Sequence, residues 1–260
     1  MLINLSNESM ISEFLLQILK LNHNQLNSVI KTYSQEGSEY VNSLITTDIQ
    51  NTIANSYIKI FHITSLKRNH QEILFKQGVS NLKDILSSNS EIKNFLSDYE
   101  ISFDFKSETI YFRDYRMNYV DTDSDKWFFV RHRLMNDYNI NAFFFIKNKE
   151  INYDGIKQSS EFLSTLNEAI CGDFSENLNL VENWNIQSQS YIVEADIPVS
   201  KLIDGGADNN PLSAKQLINY MLKRLDAPHD IADGQDTAYL SFEEKISPDE
   251  IKSITPIEWR

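Results

Sequence analysis

His62 and Thr64 stand two residues apart in Tyr57-Ile58-Lys59-Ile60-Phe61-His62-Ile63-Thr64-Ser65-Leu66. Ile58, Ile60 and Phe61 make the stretch read as a short buried strand. Side chains of an extended segment alternate between faces, so His62 and Thr64 point one way while Phe61 and Ile63 point the other. An imidazole and a hydroxyl would then face one site, backed by apolar neighbours. A helix-like run follows and closes through Glu72-Ile73-Leu74-Phe75-Lys76-Gln77 on Gly78. Strand, polar tip, helix and glycine stop are how a chain presents chemistry at a sheet edge. The plainer reading makes His62 a satisfied histidine near a strand end and Thr64 a helix N-cap.

Other candidates are scattered. Arg113, Tyr115, Arg116 and Tyr119 could hold a phosphate and stack on a ring, or line the outer surface of a strand leaving a sheet. Arg131-His132-Arg133 is a compact cationic patch that could meet a phosphate; alternatively, the carbonyls of a helix C-terminus favour cations there. Tyr153, between a core strand and a helix start, would line a pocket or be an ordinary strand tyrosine. No Walker or Rossmann glycine loop, His-Glu-x-x-His or Gly-x-Ser-x-Gly occurs, and the five histidines lack metal spacing. Kinase, zinc-hydrolase and serine-hydrolase chemistry are disfavoured.

The elements that must position these groups follow from periodicity. Residues 9 to 55 read as two or three helices, with Ile11, Phe14, Leu15, Ile18 and Leu19 at helical spacing and Ser9 or Ser12 as N-cap. Ser90 opens another helix. Ile101 to Phe105 and Thr109 to Phe112 alternate as a hairpin, and Asp123 to Asn136 reads as a helix. Asn141 to Ile146 is too apolar for a surface strand and is expected at a sheet centre. Gln189 to Asp196 and Thr237 to Phe242 read as strands, and Ala214 to Leu225 as a helix with Leu217, Ile218, Met221 and Leu222 inward. Ile246 to Ile251 reads as a capped helical turn. Helices first, then interleaved strands and helices, give an α+β fold with a mixed or antiparallel sheet.

Composition bounds the partners. The 260 residues hold 24 basic and 37 acidic side chains, a formal charge of −13, which disfavours non-specific binding to polyphosphate or anionic membranes. A basic, neutralising protein partner fits that charge, although acidity also simply maintains solubility. Cys171 is the single cysteine, so no intrachain disulfide forms. The N-terminus lacks a signal-peptide pattern and no apolar run approaches spanning length, which points to a cytoplasmic setting without membrane contact.

Two stretches carry a family resemblance. Phe61-His62-Ile63-Thr64 with its helix ending on Gly78 resembles the opening of ADP-ribosyltransferase-like folds, many of which begin with a strand bearing a His-x-Thr type motif. Tyr239-Leu240-Ser241-Phe242-Glu243-Glu244-Lys245-Ile246-Ser247-Pro248-Asp249-Glu250-Ile251 is similar to their terminal strand and Pro-containing turn. The resemblance implies residues 1–55 as a helical segment on a transferase-like domain of 56–260, with NAD as substrate. His62 and Thr64 become contacts to the nicotinamide ribose, Tyr153 stacks on the nicotinamide ring, and Arg131 joins the cofactor contacts.

A carboxylate is also implied, to steady the oxocarbenium-like ribose. The chain departs from the family pattern where that acid belongs: Ala238 stands in roughly its place. Asp236 just upstream is the first choice by position and Glu243 downstream the second. Ile63 stands where many members carry glycine. The implied setting is a bacterial toxin or phage-defence effector that modifies RNA, DNA or protein and is restrained by an antitoxin-like partner. The competing expectation is a non-catalytic interaction module docking through the N-terminal helices.

Overall fold

The computed structural model describes residues 1–119, 125–135, 139–146, 161–204, 209–227 and 237–257. The chain opens with β1 (Leu2–Ile3), then α1 (Glu8–Leu19), α2 (His23–Glu36), α3 (Ser38–Leu44) and α4 (Thr47–Ala54). Next come β2 (Tyr57–Lys67), α5 (Glu72–Gln77), α6 (Leu82–Ser87) and α7 (Glu91–Ser97). The strands β3 (Ile101–Asp104), β4 (Thr109–Phe112) and β5 (Tyr115–Asn118) precede α8 (Asp125–Met135) and β6 (Asn141–Phe143). Then follow α9 (Glu161–Phe174), α10 (Leu180–Gln187), β7 (Ser188–Pro198), β8 (Leu202–Ile203), α11 (Ala214–Asp226), β9 (Thr237–Leu240) and β10 (Ile251–Pro256). The architecture is α+β, with β1 parallel to β2 and antiparallel pairing of β2 with β6, β6 with β9, β8 with β9, β3 with β4 and β4 with β5.

The chain divides into two compact units. One comprises residues 1–62, 141–148 and 194–244; the other comprises 63–140, 149–193 and 245–260. β2 and β7 each run through both.

In the first unit the strand order is β7–β2–β6–β9–β8. β6 is central, as its uninterrupted apolar sequence requires: Ala142 is fully buried and Phe143 and Phe144 nearly so. The helices bury the stripes that periodicity marks. Ile11, Phe14, Leu15 and Ile18 of α1 are buried, as are Leu217, Ile218, Met221 and Leu222 of α11. The N-cap of α1 is Asn7 rather than Ser9 or Ser12, because its Oδ1 accepts the Ser9 N–H at 2.9 Å. α11 packs against all four N-terminal helices, and its Ser213–Gln216 capping box fixes where it begins. Tyr33 of α2 donates its phenol hydrogen to Asn219 Oδ1 at 3.0 Å. Burial, and then the Asp226 carboxylate, push that phenol's pKa upward. Near the end of α11, buried Arg224 lays its guanidinium 4.0 Å from the Phe145 ring centroid, which accommodates a cation inside an apolar layer.

The second unit contains the antiparallel sheet β3–β4–β5. The expected hairpin is present, with Ile101 opposite Phe112 and Asp104 opposite Thr109. Its turn is organised by Asp104, whose carboxylate accepts the Ser107 hydroxyl at 2.6 Å and the Lys106 N–H at 3.0 Å. The Ser107 hydroxyl, then those backbone donors, hold that carboxyl below its ordinary pKa. β5 carries Tyr115 and Arg116 of the Arg/Tyr run outward, whereas Tyr119 is buried in the core of this unit. α7 begins where Ser90 accepts the Lys93 N–H at 3.2 Å. A core of Phe95, Phe112, Trp127, Val130, Leu166 and Trp184 joins the small sheet to α8, α9 and α10.

Two expectations are corrected here. β2 continues to Lys67, so Thr64 lies inside a strand and the following helix starts only at Glu72. The extension is held by side-chain and backbone partners: Trp184 Nε1 donates to Ser65 Oγ at 2.9 Å and the Arg68 N–H to Gln187 O at 3.0 Å. The final segment is not a helical turn that ends the fold. The Glu250 carboxylate accepts the Ser247 N–H at 2.7 Å in a tight turn, and the chain then enters β10 beside β7. Ile251, Ile254 and Thr255 are β-branched and suit a pleated surface better than a helix.

Candidate functional site

His62 belongs to the first unit and is half-buried on β2. Phe61 pairs with Phe143, and the imidazole Nδ1 sits 2.8 Å from the carbonyl oxygen of Asn141. Only a protonated Nδ1 can donate to a carbonyl, so this contact fixes the tautomer and gives Nε2 the lone pair. Burial lowers the imidazole pKa below 6.5, opposed by the Asn141 hydrogen bond. The ring is therefore neutral at pH 7 and offers Nε2 as an acceptor for a hydroxyl such as that of a ribose. The features of the plainer reading are also present, since the histidine is satisfied by backbone at Nδ1. The two readings differ in what Nε2 does.

The lowered pKa has a consequence for stability. Unfolded protein takes up this proton as pH falls through 6.5, whereas folded protein does so only at lower pH. The His62 contribution is thus complete above 6.5 and declines below it, by at most about 1.4 kcal/mol per pH unit until the folded pKa is passed. Denaturant titrations at pH 7.5 and 5.5 should show a larger loss for the wild type than for His62→Gln. Equal losses would show that the imidazole is solvated.

The register of the first unit also places Ala238 relative to His62. Ala142 pairs with Ala238, and Phe143 with Thr237. Continuing the Phe61–Phe143 register by one residue sets His62 beside Ala142, so His62, Ala142 and Ala238 form one transverse row. Strands lie about 4.8 Å apart, which puts position 238 about 10 Å from His62 on the same face. Ala142 and Ala238 are both buried, so the row beside His62 holds small side chains and no carboxylate.

The other candidates are placed as follows. Thr64 lies in the second unit, half-buried on β2. Arg131 lies in the second unit on α8, half-buried. Its neighbour Arg133 is ion-paired with Glu161, and both Arg133 and His132 occupy the last turn of α8, where helix carbonyls favour cations. Glu243 is in the first unit and exposed, just beyond the end of β9. Tyr153 and Asp236 lie outside the described residues. Among the described residues no group of His, Cys, Asp and Glu could hold a metal ion, and no helix is long and apolar enough to cross a membrane.

A contact that local sequence patterns do not reveal joins the two stretches behind the family resemblance. Val79 and Ile246 exchange backbone hydrogen bonds, with N–H to O distances of 2.8 and 3.1 Å. Gly78 makes this possible: its φ is +76°, and a Cβ there would run into the Ile246 carbonyl oxygen. The glycine stop after the first strand and helix is thus the point at which the C-terminal turn docks. Comparison of the chain with protein-family models, with curated proteins and with solved structures gives no match.

Proposed function

We propose that this protein cleaves the bond between nicotinamide and ribose in NAD and transfers the ADP-ribosyl group to an acceptor macromolecule. The observation that carries the reading is the Val79–Ile246 bridge closed over Gly78. It brings together the two segments whose sequences resemble the ADP-ribosyltransferases. The neutral His62, with Nδ1 committed to a carbonyl and Nε2 an acceptor, supports the same reading because it suits a ribose hydroxyl.

In the transfer the N-glycosidic bond breaks and nicotinamide leaves with the bonding electrons. Positive charge develops on the ribose carbon, a carboxylate offsets it, and the acceptor nucleophile bonds to that carbon and loses its proton. The resemblance assigns the ribose to His62 and Thr64, the nicotinamide ring to Tyr153, a phosphate to Arg131 and the charge to Asp236, before Glu243. The acceptor is better sought among proteins than nucleic acids. Arg113 is bound by Glu176 at 2.6 Å, and Arg133 by Glu161, so two of the four arginines that could form a cationic cleft are already neutralised. The biological reading is an intracellular toxin or anti-phage effector restrained by a neutralising protein.

The test is incubation with nicotinamide-labelled NAD and cell lysate. Nicotinamide release that disappears in His62→Ala is the expected result. No release, together with no NAD-dependent thermal shift, would instead support a non-catalytic interaction module. That second reading has its own observation: Phe128 and Phe129 of α8 are 53% and 59% exposed and stand edge to face, apolar surface of the sort that protein partners cover.

A further inference from the structure

In the second unit a groove of about 690 Å³ runs between α9 and α10, within the size range of ligand sites. Its chemistry differs from an apolar pocket. Arg68 enters it already oriented, because its Nε donates to the Ser188 carbonyl at 3.2 Å and its own N–H to Gln187 at 3.0 Å. The two terminal guanidinium nitrogens make no ion pair among the described residues. Glu182, on the opposite part of the wall, is exposed and likewise unpaired. Opposite charges that line one groove without forming a salt bridge are held apart by their backbones.

The rest of the lining includes a second exposed carboxylate, Glu168, which accepts the Ser164 hydroxyl at 3.4 Å, together with Val181 and four asparagine amides. The Asn167 and Asn177 side chains are hydrogen-bonded to each other at 3.1 Å, and Asn167 also accepts the Leu180 N–H, so they stiffen the loop. The side-chain amides of Asn179 and Asn185 are uncommitted among the described residues and face the same groove. Uncommitted amides present a donor and an acceptor side by side, which matches a peptide group. Exposed Ile186, at 67%, adds an apolar contact at the rim.

Length selects the ligand. Glu182 lies in the first turn of α10, and Arg68 is tied to the carbonyls at its end. At 1.5 Å per helical residue the two anchor points lie roughly 8 Å apart along the helix, which two or three residues of extended chain span at about 3.3 Å each. We propose that this groove binds a short extended peptide segment of a partner protein, with an acidic side chain on Arg68, a basic one on Glu182, and backbone amides on Asn179 and Asn185. The proposal does not rest on the NAD reading, because it concerns peptide binding and not turnover.

The test uses the full chain and fluorescein-labelled capped peptides carrying one lysine and one glutamate, separated by one, two or three alanines, in both orders. Fluorescence anisotropy should detect binding for one order, with an all-alanine peptide at least about 10-fold weaker. Arg68→Ala and the exposed Glu182→Gln should each weaken binding at least about 10-fold. The exchanged double variant, Arg68→Glu with Glu182→Arg, should prefer the reversed order, a response that a merely structural role would not produce. Peptides binding no better than the all-alanine control, variants binding like the wild type, or ADP and inorganic phosphate competing in their place would each overturn the proposal.

Discussion

Gly78→Ala should lower the stability of the second unit by about 3 kcal/mol. A non-glycine residue at φ +76° costs about 1–3 kcal/mol in backbone strain. The added methyl also runs into the Ile246 carbonyl oxygen, so the two Val79–Ile246 hydrogen bonds, worth about 1 kcal/mol each, are lost or stretched. Gly37→Ala is the internal control: its φ is +67°, but nothing lies within 4 Å of the added carbon, so only strain remains. The melting temperature should fall by about 10 °C for Gly78→Ala and clearly less for Gly37→Ala. Equal shifts would mean that the C-terminal turn does not dock on this glycine.

Asp236→Ala should leave NAD binding nearly unchanged while reducing nicotinamide release at least about 100-fold, as removal of a group that stabilises transition-state charge does. The reasoning rests on the row of His62, Ala142 and Ala238. On the proposed reading the acid belongs near position 238, which a buried alanine occupies, so Asp236, the nearest carboxylate upstream in the sequence, is the one proposed to supply the charge. Calorimetry and turnover on the same preparation separate binding from chemistry. If Glu243→Ala alone produces the loss, the carboxylate lies beyond the strand and the assignment moves there.

Much of this was legible because local periodicity and burial agree. Ile11, Phe14, Leu15 and Ile18 mark α1, Leu217 to Leu222 mark α11, and the period-two run around Lys106-Ser107-Glu108 marks the hairpin. Other features were illegible for physical reasons. β1 is two residues long, and its parallel pairing with β2 is a tertiary fact. β10 was hidden because Ser247-Pro248-Asp249-Glu250 resembles a helix start, whereas Glu250 uses its carboxylate to cap a turn on Ser247 instead. The end of β2 was misjudged because Ser65 has its partner in Trp184, far along the chain. For the candidate site, His62 was marked by its place in a strand, but its tautomer comes from Asn141. Arg68 carries no motif, and only its tether to Gln187 and Ser188 gives it a direction.

The claim that NAD meets Nε2 of His62 is tested most directly by nitrogen-15 NMR of the imidazole, assigned with His62→Gln, during titration with NAD. The account predicts a saturable shift of the Nε2 resonance, with Nδ1 remaining protonated against Asn141. An Nε2 resonance that does not move at NAD concentrations saturating any thermal shift would contradict it.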